Sequence, residues 1–183
     1  MRGTAEWAAR ALLALAAAVA AGAGAQGTDR AAEPRPPRPT LALAVRVERL
    51  VAAAADGEEG ASAPVLEPVT GALAAGDELL YTVSFENVGG APASDVRITQ
   101  PLPDGVRYVP GTAVGPGAVA SYSADGGRTF GAPEELTAPA GGGMRRPAEA
   151  GDYTHIRWRL PGTLAPGAKG FLRFRAVVQG DGR

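Results

Sequence analysis

The chain has 183 residues, with 18 Lys and Arg against 19 Asp and Glu and a formal net charge of -1. That balance argues against a general nucleic-acid binder, whose domain is normally basic. Cysteine is absent and histidine occurs once, which removes disulfide frameworks, cysteine-held zinc or iron–sulfur centres, thiol nucleophiles and any site needing two imidazoles.

Residues 1–25 read as a secretory signal peptide. Arg2 and Arg10 supply the positive region, an apolar run follows from Ala11 to Ala21, and Ala23-Gly24-Ala25 forms a small-x-small cleavage site before Gln26. The apolar run is about 12 residues, short of the roughly 20 that span a bilayer. The expectation is export to the periplasm or cell surface, with no transmembrane segment in the mature chain. Gly22 to Gly27 matches G-x-G-x-x-G, but it straddles the cleavage site and lacks the strand and helix that a dinucleotide site requires. Residues 26–39 hold four prolines, three arginines and no hydrophobic larger than alanine, the composition of an extended linker. The folded domain is expected over residues 40–183.

The domain reads as short strands separated by turns. Leu41, Leu43, Val45 and Val47 alternate with small or charged neighbours, a period of two. Leu50 to Gly60 dissolves into alanines and acids and predicts a loop. Val65 to Val69 predicts a short edge strand interrupted by Pro68. The clearest strand is Glu78 to Asn87, with Leu79, Tyr81, Val83 and Phe85 on one face and Leu80 as an apolar misfit on the other. Asn87-Val88-Gly89-Gly90 breaks it.

Ala93 to Thr99 places Val96 and Ile98 inward and Asp95, Arg97 and Thr99 outward. Pro101-Leu102-Pro103-Asp104-Gly105 is a turn. Short strands follow at Val106 to Val109 and Val119 to Tyr122, the latter closed by Asp125-Gly126-Gly127. Residues 131–152, with Pro133, Pro139, Pro147 and glycines 141–143, predict a loop. Tyr153 to Leu160 turns Ile156, Trp158 and Leu160 inward and His155, Arg157 and Arg159 outward. Pro161-Gly162 and Pro166-Gly167 predict a hairpin connection to Gly170–Val178, whose Leu172, Phe174, Ala176 and Val178 face inward. No capped apolar helix pattern follows the leader. The fold expected is all-β, an immunoglobulin-like antiparallel β-sandwich of about seven strands preceded by a signal-peptide helix.

The stretch from Gly76-Asp77 through Tyr81 to Asn87-Val88-Gly89, with its continuation from Ala93 through Ile98 to Leu102-Pro103-Asp104-Gly105, resembles the conserved-repeat domain of unknown function found in bacterial envelope and surface proteins. The closing Ile156-Arg157-Trp158-Arg159-Leu160 and Leu164-Ala165-Pro166-Gly167 also fit. The likeness covers roughly residues 41–178 and implies an immunoglobulin-like repeat with an envelope-associated structural or adhesive role. Gln100 stands where that family usually has an acidic residue, and one copy is present where the family often has several.

The chemistry available is sparse. His155 lies on an outward strand face with no marked nucleophile, and no G-x-S-x-G motif exists. Glu58-Glu59 and Glu134-Glu135 are adjacent loop acids, not a pair placed across a cleft. Asp56-Gly57-Glu58-Glu59 and Asp125-Gly126-Gly127 carry oxygens that calcium uses, without EF-hand spacing, and each is also an ordinary turn. The expectation is no catalytic residues, no metal and no cofactor.

The more informative constellation is basic. If Trp158 pairs opposite Phe174 across the last hairpin, Arg159 lies opposite Arg173 and Arg157 opposite Arg175, and Arg97 on a neighbouring strand extends the face. Like charges opposed on a sheet are unfavourable, so Asp95 or an anionic partner should compensate. Arginine is suited to bidentate capture of phosphate or carboxylate. Against this, the 17 arginines to one lysine equally fit arginine as the default surface cation.

The function expected is therefore an exported, non-catalytic binding or structural module of the cell envelope, whose partner is an anionic envelope component or another envelope protein. The alternatives are an adhesin or assembly subunit that docks by strand-edge pairing and, third, an envelope hydrolase.

Overall fold

Alternating large apolar and polar side chains leave an extended chain with one wet face and one dry face, so it must pair edge to edge and stack. The computed structural model describes residues 37–51 and 64–180, and these contain ten strands and no α-helix. The expected leader (1–25), most of the linker (26–36), and the acidic segment 52–63 lie outside the described residues.

The strands are β1 (Leu41–Val51), β2 (Val65–Pro68), β3 (Glu78–Asn87), β4 (Ala93–Pro101), β5 (Val106–Tyr108), β6 (Val119–Ser123), β7 (Thr137–Gly141), β8 (Met144–Pro147), β9 (His155–Leu164) and β10 (Lys169–Val178). A five-stranded sheet has the order β2-β1-β3-β10-β5, and a three-stranded sheet the order β4-β9-β6. All their pairings are antiparallel. The inward faces meet in one core. Trp158, Phe174, Ile156 and Val83 have no exposed surface there.

Aromatic rings join the layers. Trp158 on β9 meets Phe174 on β10 with centroids 6.0 Å apart, and Phe174 stacks on Tyr81 of β3 at 4.6 Å. Tyr108 on β5 and Tyr122 on β6 share a hydroxyl–hydroxyl hydrogen bond of 3.0 Å. Burial pushes the Tyr81 hydroxyl up to about 12. It raises Tyr122 too, where the bond to Tyr108 adds to the effect.

Three expectations need correction. The first concerns the last two strands: β9 and β10 do not form a hairpin. β9 pairs with β4 and β6, whereas β10 pairs with β3 and β5. Trp158 and Phe174 face each other across the sandwich instead of lying side by side. Alternation requires both rings to point inward, and face-to-face stacking satisfies that as well as cross-strand pairing does. β9 also runs through Pro161-Gly162 to Leu164, so the turn there is confined to Ala165–Ala168.

Second, residues 131–152 are not a plain loop. They hold the β7–β8 ribbon and two short 3-10 turns. The ribbon is fastened by Arg146, whose guanidinium grips Asp152 at 2.6 and 2.8 Å, and by burial of Leu136 and Ala138. Third, β1 continues through Leu50 to Val51, because β2 pairs with Glu48–Val51. With β7 and β8 the described residues hold ten strands, more than the expected seven or so.

A buried amide closes one end of the sandwich. Asn87 is fully buried, and its side chain fills its whole hydrogen-bonding capacity. Nδ2 donates to Ala91 O at 2.9 Å and Leu164 O at 3.0 Å. Oδ1 accepts from Gly89 N at 3.1 Å and Thr40 N at 3.3 Å. The chain before β1 crosses Gly89 so closely that a Cβ there would lie 2.3 Å from Arg38 O, so only glycine fits. Asn87→Ala would orphan two half-buried carbonyls and two N–H groups. It is expected to cost at least about 2 kcal/mol in denaturant unfolding, and Asn87→Asp, which cannot donate, should not restore the loss. Trp158→Ala is expected to cost about 3–5 kcal/mol; a loss under about 1 kcal/mol would place the indole outside the core.

Candidate functional site

The five arginines of the expected basic face divide between the two outer surfaces. Arg97, Arg157 and Arg159 project from the β4–β9 sheet, whereas Arg173 and Arg175 project from β10 on the opposite side of the molecule. The single patch is thereby corrected to two, for the same reason that the final hairpin is: β9 and β10 belong to different layers.

On the β10 side the charges are engaged. Arg175 Nη1 lies 2.9 Å from Glu78 Oε1, and the Arg173 guanidinium stacks over Phe171, 4.6 Å from the ring centre.

On the β4–β9 side three guanidiniums crowd together. Arg97 lies directly opposite Arg159 in the register, and Thr99 opposite Arg157. Asp95 offsets one charge, its carboxylate 2.7 Å from Arg97 Nη2. Arg157 rests over Phe130 at 3.5 Å and donates from Nε to Thr99 Oγ1 at 3.1 Å. Desolvation, then repulsion from Arg97, lowers its proton affinity. Arg159 is exposed and has no carboxylate within salt-bridge distance among the described residues. The face thus carries three cations and one neighbouring carboxylate.

The second feature of this surface is backbone. β4 is the outer strand of its sheet and pairs with β9 alone. Leu102 N donates to Thr154 O at 2.8 Å, which continues the register in which Pro101 faces His155. Hydrogen bonding alternates along an antiparallel pair, so Val96, Ile98 and Gln100 direct their N–H and C=O groups to β9. Arg97 and Thr99 direct theirs outward, to solvent. Pro101, with no N–H, falls on the same open side. A bulge at Asp95, with φ of 52°, ends the regular edge at its other limit. No described strand pairs with this edge. Alternation in the sequence marked β4 as a strand; nothing local marked it as an edge.

The remaining candidates resolve into structure. His155 is half-buried with Nδ1 3.0 Å from Thr154 Oγ1. Burial lowers its pKa, and Arg157 lowers it further. Ser123, its cross-strand neighbour, donates its hydroxyl to Asp125 at 2.7 Å. Asp125 takes hydrogen bonds from Thr129 N and Oγ1, Arg128 N and Ser123 Oγ, so its oxygens organise a turn. Glu135 Oε2 accepts from Ala132 N at 2.9 Å and caps a 3-10 turn. Glu58-Glu59 lie outside the described residues. Gln100 is buried, with Nε2 donating to Pro101 O at 3.0 Å and Oε1 without a partner among the described residues. A cavity of about 750 Å³ touches Leu43, Phe85, Leu160, Leu164 and Phe171, and its charged groups, Lys169 and Glu86, pair with each other at 3.6 Å. Among the described residues no group of three His, Cys, Asp or Glu side chains is placed to hold a metal ion, and no helix is long and apolar enough to cross a membrane.

Comparison with known proteins found no matching family model, no matching curated protein and no matching solved structure.

The turn at Asp125 generates a pH prediction. Hydrogen bonds from Thr129, then from Ser123 and Arg128, hold this carboxyl far below the usual carboxylate range. A depressed folded-state pKa contributes stability above the unfolded value of about 3.9 and loses it as pH falls through the folded one. Unfolding midpoints should therefore fall progressively below about pH 4, and Asp125→Asn should flatten that acid limb. An identical acid limb in the variant would contradict the assignment.

Proposed function

We propose that the protein is an exported, non-catalytic binding or structural module of the bacterial cell envelope, built as an immunoglobulin-like sandwich, that takes hold of a partner by the free edge of β4. Export and envelope location are supported by the leader pattern of residues 1–25 and by the resemblance to the envelope conserved-repeat domain. The docking mode is supported by one observation: Arg97 and Thr99 offer unpaired N–H and C=O groups along an edge that no described strand covers. An added strand draws affinity from these main-chain groups, so side-chain chemistry is not required.

A second reading rests on Arg159. An exposed guanidinium opposed to Arg97 and lacking a carboxylate partner favours an anionic envelope component on the outer β4–β9 surface, with Arg97, Arg157 and Arg159 as its contacts.

Fractionation of cells making the full chain separates the readings. Export is expected to shorten the chain at Ala25, read by mass. Thr99→Pro removes an outward N–H without breaking a ladder bond, and it is expected to shift the protein from the envelope to the soluble fraction at any salt concentration. Arg97→Glu with Arg159→Glu should release it only at low salt if the second reading holds. Retention unchanged in both variants, with folded spectra, would overturn the proposal.

A further inference from the structure

The two sheets are offset, and the offset leaves an apolar surface open. Tyr122 over Tyr108 sets β6 above β5, and Trp158 over Phe174 sets β9 above β10. The strand orders then bring β4 above β3. No described strand lies above β1; only the link from β2 to β3 passes it, near the Arg49 end, where Val69 and Leu73 pack against the core. The burial of the inward side chains records the difference. On β3, Leu79, Tyr81, Val83 and Phe85 are all buried, at most 7% exposed. On β1, Leu41, Leu43, Val45 and Val47 point the same way, pack against the same core and stay half-buried. The vacant position beside β4 and the half-covered face of β1 are one and the same gap. Strands lie about 4.8 Å apart within a sheet, and stacked sheets about 10 Å apart. A single strand added to β4 therefore lands over the β1 row.

We infer that the sandwich is one strand short, and that an extended segment of another protein completes it, with apolar side chains at alternate positions and acidic ones between. This rests on the strand-docking reading of the β4 edge and names what that edge selects. Residues of the segment that point inward cover Leu43, Val45 and Val47, which calls for bulky apolar groups at every second position. Residues that point outward join the surface of Arg97, Arg157 and Arg159, where Asp95 is the neighbouring carboxylate, which calls for acids.

Two other occupants fit poorly. A second copy pairing through its own β4 would bring its own β3 layer into the space held by β1 and β2 of the first. With the leader of residues 1–25 removed as proposed, residues 26–36, 52–63 and 181–183 of this chain hold no apolar side chain larger than alanine other than proline, so they lack the bulk to cover the β1 row. The free edge is short, from the Asp95 bulge to Pro101, so a segment of about seven residues saturates it at roughly 3.3 Å per residue.

Binding of fluorescein-labelled synthetic peptides to the full chain tests this. The probes are Gly-Val-Glu-Val-Thr-Val-Glu-Val-Gly and a scrambled peptide, Gly-Val-Val-Val-Val-Glu-Thr-Glu-Gly, of the same composition with its valines consecutive. The alternating peptide is expected to bind at least tenfold more tightly, and to slow hydrogen exchange at the Arg97 and Thr99 amides at least tenfold. Thr99→Pro should abolish binding and the slowing at the Arg97 amide, the one of the two that it leaves, and Val45→Glu should weaken binding at least tenfold while circular dichroism confirms the fold. Two outcomes overturn the segment's chemistry while leaving edge docking intact: equal binding of the two peptides that Thr99→Pro still abolishes, or binding indifferent to Val45→Glu. Peptide binding that survives Thr99→Pro, with no change in exchange at the Arg97 and Thr99 amides of the unsubstituted chain, overturns edge docking itself. Slow exchange of those two amides in the peptide-free monomer would make a segment of this chain the occupant. Concentration-dependent dimerisation abolished by Thr99→Pro would make it a second copy. Either result overturns the inference.

Discussion

The fold depends on one buried amide at the end of the sandwich. Asn87 binds four backbone groups from three directions: the approach to β1 at Thr40, the turn toward β4 at Gly89 and Ala91, and the end of β9 at Leu164. Its main-chain groups add Ala168 O and Gly167 N on the connection into β10. Both layers are therefore tied at a single side chain with no spare donor or acceptor. A buried polar group is tolerable only when satisfied, and here full satisfaction makes it a fastener. The relative placement of β1, β4 and β9 follows from it, and the open position beside β4 depends on that placement.

Above this anchor, the core is aromatic and the surface is arginine. Trp158, Phe174, Tyr81, Tyr108 and Tyr122 pass contacts from one layer to the other, and desolvation raises the pKa of the Tyr81 and Tyr122 hydroxyls. The outer β4–β9 surface opposes Arg97 to Arg159, a like-charge pair that costs some tenths of a kcal/mol in a sheet. Asp95 and the Phe130 ring offset part of that cost. The proposed partner supplies the remainder from outside.

An exposed edge is also a hazard, because any extended chain can pair with it. β4 limits the risk in two ways. The Asp95 bulge and Pro101 confine the regular edge to a few residues, and three guanidiniums beside it repel cationic segments. In the proposed docking the same features that discourage indiscriminate pairing would make the edge selective, so protection and recognition need not conflict.

Much of the fold was legible locally. Period-two alternation placed β3 at its observed bounds, predicted the inward sets of β4, β9 and β10, and predicted a short edge strand at β2, because side-chain direction in a strand depends only on its neighbours. The β7–β8 ribbon escaped notice because its prolines and glycines carry no alternation; it is fastened by the pairing of Arg146 with Asp152, which no periodicity marks. Asn87 read as a turn residue, since nothing in a sequence shows four backbone groups converging from 77 residues away and nearer. The arginines were found individually, but their grouping was misjudged. The sequence by itself determined which segments are extended and which side of each is dry. Only the tertiary structure decided which strands share a sheet, which edge stays open and which cations meet. Alternation looks the same whether two inward rings lie side by side or face to face, and only packing across the core tells the two arrangements apart.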